Sequence, residues 1–141
     1  GTALAEHGMT IEEIHVAAGD YSQDFGYRET VRLLKSGHEF TAVFAGNDDM
    51  AAGILLALRE AGRNVPGDVS LIGFDDAFHA RHVTPALTTV RQPIQEVGEA
   101  AARMLLDLIA DPDAGPVTTI VDTNLVERAS VSAPLQERQV A

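Results

Sequence analysis

The chain contains no cysteine. Disulfides and cysteine-ligated zinc are therefore excluded, and thiol usage says nothing about compartment. Basic side chains are scarce too: 10 Lys and Arg stand against 21 Asp and Glu, a formal net charge of −11. The ten are scattered and form no patch, so these residues do not make a phosphate-neutralising surface for nucleic acid by themselves. No apolar run reaches the roughly 18 residues a membrane-spanning helix needs. The opening GTALAEHGMT has neither the basic segment nor the apolar stretch of a signal peptide. Patterns of the G-x-S-x-G, Walker A and G-x-G-x-x-G kinds are absent as well. The expectation is a protein that is not an enzyme, with no catalytic residues and no cofactor.

What is present reads as a globular domain. The chain has 141 residues and 45% hydrophobic content. One domain is the default at this length, and it can bury roughly two thirds of its unfolded surface. ALAEHG reads as the end of a helix with Gly8 just past it. IHVAAGD reads as a short strand, clearest over residues 14–18. DFGYRETVRLLKSG sets Phe25, Tyr27, Val31 and Leu34 at helical spacing and stops at Gly37. TAVFA, residues 41–45, reads as a buried strand. Asn47 then stands as a natural N-cap, with Asp48 and Asp49 in the first turn, where the helix dipole favours acids. MAAGILLALREAG is a strongly apolar helix ending at Gly62.

VSLIGFDD is a second near-continuous apolar strand, and ALTTV is a short strand or extended link. QPIQEVGEAAARMLLDLIADPDAG is the clearest helix. Pro93 fits its first position, and Ile94, Val97, Ala101, Met104, Leu105 and Leu108 make one apolar stripe. VTTIVDTNLVERAS reads as one or two β segments. This alternation predicts an α/β fold with a parallel sheet covered on both faces. The series opens inside a helix rather than on a strand, which predicts the C-terminal piece of a longer chain.

In an open α/β sheet, ligands bind beyond the carboxyl ends of the strands. Three strands here end in polar residues: Asp20-Tyr21, Asn47-Asp48-Asp49 and Asp75-Asp76. Together they suit a sugar, since a carboxylate accepts from neighbouring hydroxyls, an amide donates and accepts, and a ring stacks on an apolar sugar face. Blander readings stand beside these. Asn47 can be only a cap, Tyr21 a half-buried core residue, and Asp48 and Asp49 only helix-start charges. One of Asp75 and Asp76 orients the turn while the other faces the crevice.

Asp75, Asp76, His79 and His82 have spacings that could assemble a metal site. The segment holds a Thr-Pro, is not clearly helical and lacks further ligands, so no metal site is expected. Adjacent residues on a strand point to opposite faces, so Asp75 and Asp76 do not make an acid/base dyad.

TAVFAGNDDMAAGILLALREAGRNVPGDVSLIGFDD, followed by TPALTTVRQPIQEVGEAAARMLLDLI and LVERAS, resembles the effector-binding region of LacI/GalR-type transcriptional regulators. The likeness runs from Gly1 to about Ser130. It implies the parallel-sheet, Rossmann-like lobe of a periplasmic-binding-protein type of fold, truncated at its N-terminus. Residues 1–90 would form the C-terminal lobe, 91–112 the crossover helix of the N-terminal lobe, and 113–130 the return to the C-terminal lobe. The helix-turn-helix of such regulators, which carries their operator contacts, is absent from this chain.

By the same resemblance Tyr21 falls on an effector-stacking aromatic, Asn47 and Asp75 on polar effector contacts, and Gln92 on a ligand-facing crossing. Residues 50–61 and 77–83 fall on a homodimer interface. The implied protein is a cytoplasmic, sugar-responsive regulator. The alternative is the sugar-binding protein of a transport system, which shares the lobe but should carry a secretion signal.

Overall fold

A computed structural model describes residues 5–8, 17–37, 39–113, 115 and 117–133. The expected strand over 14–18 lies largely outside them; the residues that follow, from Ala17 to Asp20, are not in a strand. Helix α1 spans Gln23–Lys35. Ser22 caps it by accepting from the Phe25 N–H at 3.0 Å. Strand β1, Ala42–Phe44, leads into α2, Asp48–Glu60. Strand β2, Ser70–Asp75, is followed by a 3-10 turn at Phe78–Arg81. Strand β3, Thr88–Arg91, precedes α3, Ile94–Ala110, and β4, Asn124–Val126. Pro93 stands one residue before α3 rather than as its first residue.

The sheet order is β1-β2-β3-β4. The first three strands are parallel, with Phe44 opposite Ile72 and Ile72 opposite Thr88. β4 is the exception within this parallel sheet. It runs antiparallel to β3, with Thr89 opposite Val126, and only residues 124–126 of the expected C-terminal β segments form a strand. A single antiparallel edge strand on a parallel sheet is a common arrangement in α/β folds.

Ser130, fully buried, explains why the chain must return here. Its hydroxyl donates to the Leu71 carbonyl at 2.6 Å and accepts from the Thr88 N–H at 2.8 Å, bridging β2 and β3.

Side chains alternate across a strand, so the register assigns two faces. Val43, Leu71, Gly73 and Thr89 share the face toward α2. Leu71 packs there with Ile54, Leu55, Leu58, Val69 and Leu87 in one core cluster. α1 lies on α2 through small residues: a Cβ at Gly53 would sit 2.0 Å from the Gln23 carbonyl oxygen. That close approach is why the apolar run of α2 contains glycine.

Phe44, Ile72, Phe74, Val90 and Leu125 share the other face. Phe44 is 64% exposed and Leu125 55%. The expectation of a buried 41–45 strand in a sheet covered on both faces is therefore corrected: among the described residues, helices cover one face. An apolar run shows that a strand is apolar on both faces, not that both are covered.

Candidate functional site

The carboxyl ends of β1 and β2 lie side by side. Phe44 and Ile72 are paired, and Asn47 and Asp75 each follow a paired residue by three positions. The four candidate ligand contacts are brought together in two couples at this edge. In the first, the Asn47 side chain both caps α2 and ties down the preceding loop. Its Oδ1 accepts from the Met50 N–H at 2.8 Å, and its Nδ2 donates to the Tyr21 carbonyl at 3.0 Å. The cap reading and the site reading of Asn47 are thus compatible.

Tyr21 has a φ of 61° and is 65% exposed. Its ring lies over Gly46, where a Cβ would meet it at 3.4 Å. Tyr21 is therefore not a half-buried core residue; its ring offers a face to solvent. Asp20 beside it accepts from both the hydroxyl and the N–H of Ser22, and those bonds hold its carboxyl below the usual carboxylate range.

In the second couple, Gln92 Nε2 donates to Asp75 Oδ1 at 2.5 Å. This joins the end of β2 to the link that leaves β3. The next residue, Asp76, turns away from it. Its side chain is 3% exposed, and its oxygens receive Arg91 Nε at 2.6 Å and Arg128 Nη2 at 2.5 Å. Burial pushes the Asp76 carboxyl up, but the bonds and charges of Arg128 and Arg91 outweigh it and hold the group below the usual range. Of the pair, Asp76 is the one locked into the fold by arginines, and Asp75 is held by Gln92.

Asp48 is the residue that spacing misread. It does begin α2, yet it is fully buried rather than a surface charge. Its Oδ1 accepts from the Thr89 hydroxyl and its Oδ2 from the Ala77 N–H, both at 2.7 Å. The partners are 41 and 29 residues away in sequence, so no local pattern could announce them. Arg128 is not announced by local spacing as the partner of Asp76 either. Besides Asp76 it reaches the Leu87 carbonyl at 2.8 Å.

His79 Nε2 lies 3.6 Å from Asp49 Oδ1, and His82 Nδ1 lies 2.8 Å from the Phe78 carbonyl. Neither histidine joins Asp75 or Asp76 in a group of three or more ligands among the described residues. An open depression of about 400 Å³ lies between α1 and α2, lined by Gln23, Asp24, Tyr27, Leu56 and Glu60. None of the four candidate contacts lines it.

A family model described as a periplasmic binding protein-like domain matches residues 2–131. The HTH-type transcriptional repressor PurR of Escherichia coli O1:K1 / APEC is 44% identical over 130 residues, which are 92% of this chain and 38% of PurR. The chain thus spans about two fifths of the length of that curated relative. A LacI family transcriptional regulator from Enterococcus faecium with bound ribose superposes with a TM-score of 0.83 at 33% identity. The match covers 93% of this chain and 48% of that one. The lac repressor dimer bound to operator and the anti-inducer ONPF superposes with a TM-score of 0.84 at 29% identity, over 94% of this chain and 45% of that one.

The chain belongs to the periplasmic binding protein-like domain family. Within it, these relatives place the chain among the effector-binding regions of LacI/GalR-type regulators.

Proposed function

We propose that this chain is the effector-sensing and dimerisation portion of a LacI-type transcriptional regulator that responds to a sugar or a related small metabolite. The observation that carries the reading is the polar edge itself. An exposed ring over Gly46, a carboxamide beside it and a carboxylate held by a second carboxamide stand at adjacent parallel strand ends. Tyr21 would stack on the effector, Asn47 and Asp75 would hydrogen-bond its hydroxyls, and Gln92 would orient Asp75 and face the same ligand. The ribose in the Enterococcus faecium regulator supports the sugar class.

The lobe assignment belongs to the same proposal: residues 1–90 and 113–130 in one lobe, 91–112 crossing to another. It is supported by α3, which buries none of its residues although it carries an apolar stripe. The effector would bridge the lobes, stabilise one arrangement of the dimer, and so change the spacing of DNA-binding headpieces on an operator. A protein acting on DNA in this way would work in the cytoplasm. The proposed dimer surfaces are residues 50–61 and 77–83. On the second, Phe78 is 78% exposed and its ring lies tilted against that of His82, with centres 4.5 Å apart.

A thermal-shift panel of sugars and related metabolites on the full-length protein, beginning with D-ribose, tests ligand response. Calorimetry on the hit then tests the site. Asp75→Ala should weaken binding roughly tenfold to a hundredfold, the cost of losing bonds to a charged acceptor. Dimerisation without effector, read by sedimentation, should stay as in the parent. Unchanged affinity removes Asp75 from the site, and a panel without a single shift removes the sugar-responsive reading.

A further inference from the structure

The turn that presents Asp75 is held in a conformation that aspartate seldom adopts alone. Asp75 and Asp76 both have positive φ, 115° and 58°. Such residues persist where surrounding contacts over-determine them. The contacts here converge on one buried pair. The Asp76 N–H points to Thr89 Oγ1 at 3.4 Å, the Ala77 N–H donates to Asp48 Oδ2, and the Thr89 hydroxyl donates to Asp48 Oδ1.

Helix-dipole chemistry does not require this burial, since Asp49, one residue on, is exposed in the same first turn. The fold also makes room for the carboxylate. A Cβ at Gly73, in the strand that ends at Asp75, would lie 2.1 Å from Asp48 Oδ1. A fully buried carboxylate with two cross-element donors and a cleared strand in front of it is a built feature.

We propose that Asp48 and Thr89 are positioning residues for the ligand edge: they clamp the turn at Asp75-Asp76-Ala77 and so set the direction of the Asp75 carboxylate and its bond to Gln92. The inference rests on Asp75 being a ligand contact, but its test does not. The Gln92 side-chain amide donates to Asp75 Oδ1, so its NMR signal reports where that carboxylate points.

The experiment uses the 15N-labelled full-length protein without effector, with the Gln92 amide identified by its loss in Gln92→Glu. Thr89→Val keeps the side-chain shape and removes the hydroxyl. It should move the Gln92 amide toward the position of a solvent-exposed one and speed its exchange with water roughly tenfold, the equivalent of one lost bond. Thr89→Ser restores the hydroxyl and should restore the signal. If Thr89→Val does not fold, Asp48→Asn, which keeps the volume and one acceptor oxygen, should give the same displacement.

An Ile54→Val variant loosens the same core without touching the clamp and should leave the amide in place. A lower melting temperature in Thr89→Val with an unmoved Gln92 amide overturns the proposal, because the pair would then be merely structural. So does an equal displacement in Ile54→Val. Failure of the ligand reading shows separately, as unchanged effector affinity in Asp75→Ala.

Discussion

Helices α2 and α3 have similar sequences in one respect and opposite fates. Each carries an apolar stripe at helical spacing. α2 buries seven of its 13 residues, Asp48 and Leu58 among them, whereas α3 buries none of its 17. In α3, Leu105, Leu106 and Ile109 are 59%, 66% and 67% exposed. The sheet repeats the contrast, with Leu71 and Thr89 sealed on the face toward α2 and Phe44 open on the other. Periodicity reports that a helix has an apolar face. It does not report what lies against that face, because the partner is chosen elsewhere in the chain or outside it.

That contrast can be broken or sharpened by substitution. The largest effect is expected on the sealed side. Leu58→Ala removes a fully buried side chain and should cost about 4 kcal/mol in chemical unfolding; a loss under 1 kcal/mol would mean the α2 face is not the core.

Asp76→Ala leaves the partly buried Arg128 without its carboxylate and should cost about 3 kcal/mol near pH 7. The sign with pH follows from the lowered folded value. The stabilisation is present above the unfolded carboxylate range and is lost as pH falls below about 4, through the depressed folded value. The parent and Asp76→Ala curves should therefore converge in acid; curves parallel down to pH 2 would contradict the ion-pair account.

Gly53→Ala should cost about 2 kcal/mol through overpacking of α1 on α2, although alanine is the better helix former. A stabilised variant would show that the two backbones can separate freely. The smallest effect belongs to the open side. Leu106→Ser in this chain should change stability by less than about 0.5 kcal/mol. The same change in the full-length protein should cost several times more if a second lobe covers α3, and equal costs would refute that lobe assignment.

Much of the fold was legible in the sequence. Asn47 caps α2, and the glycines Gly37 and Gly62 follow α1 and α2 with positive φ. β2 ends where the apolar run meets Asp75. Strand ends and resemblance point to Tyr21, Asn47 and Asp75, and resemblance alone to Gln92; the fold couples the four in pairs. The clamp behind them was not legible. Asp48 looks like any acid in a first turn, and Thr89 like any β-branched strand residue. Their meeting depends on β3 lying beside β2 and on Gly73 leaving space between them.

The sequence by itself determined where helices begin and end and which stretches are apolar enough to be strands. It also placed Asp75 at the end of a strand and Asn47 just beyond one. These are local matters, set by capping, backbone freedom and side-chain period. Only the tertiary structure decided which apolar faces are sealed, which of two adjacent aspartates is locked between arginines, and that a helix-start acid is buried in the core. Those outcomes depend on contacts between residues dozens of positions apart, where burial makes an unpaired charge costly and forces each carboxylate to find its partners.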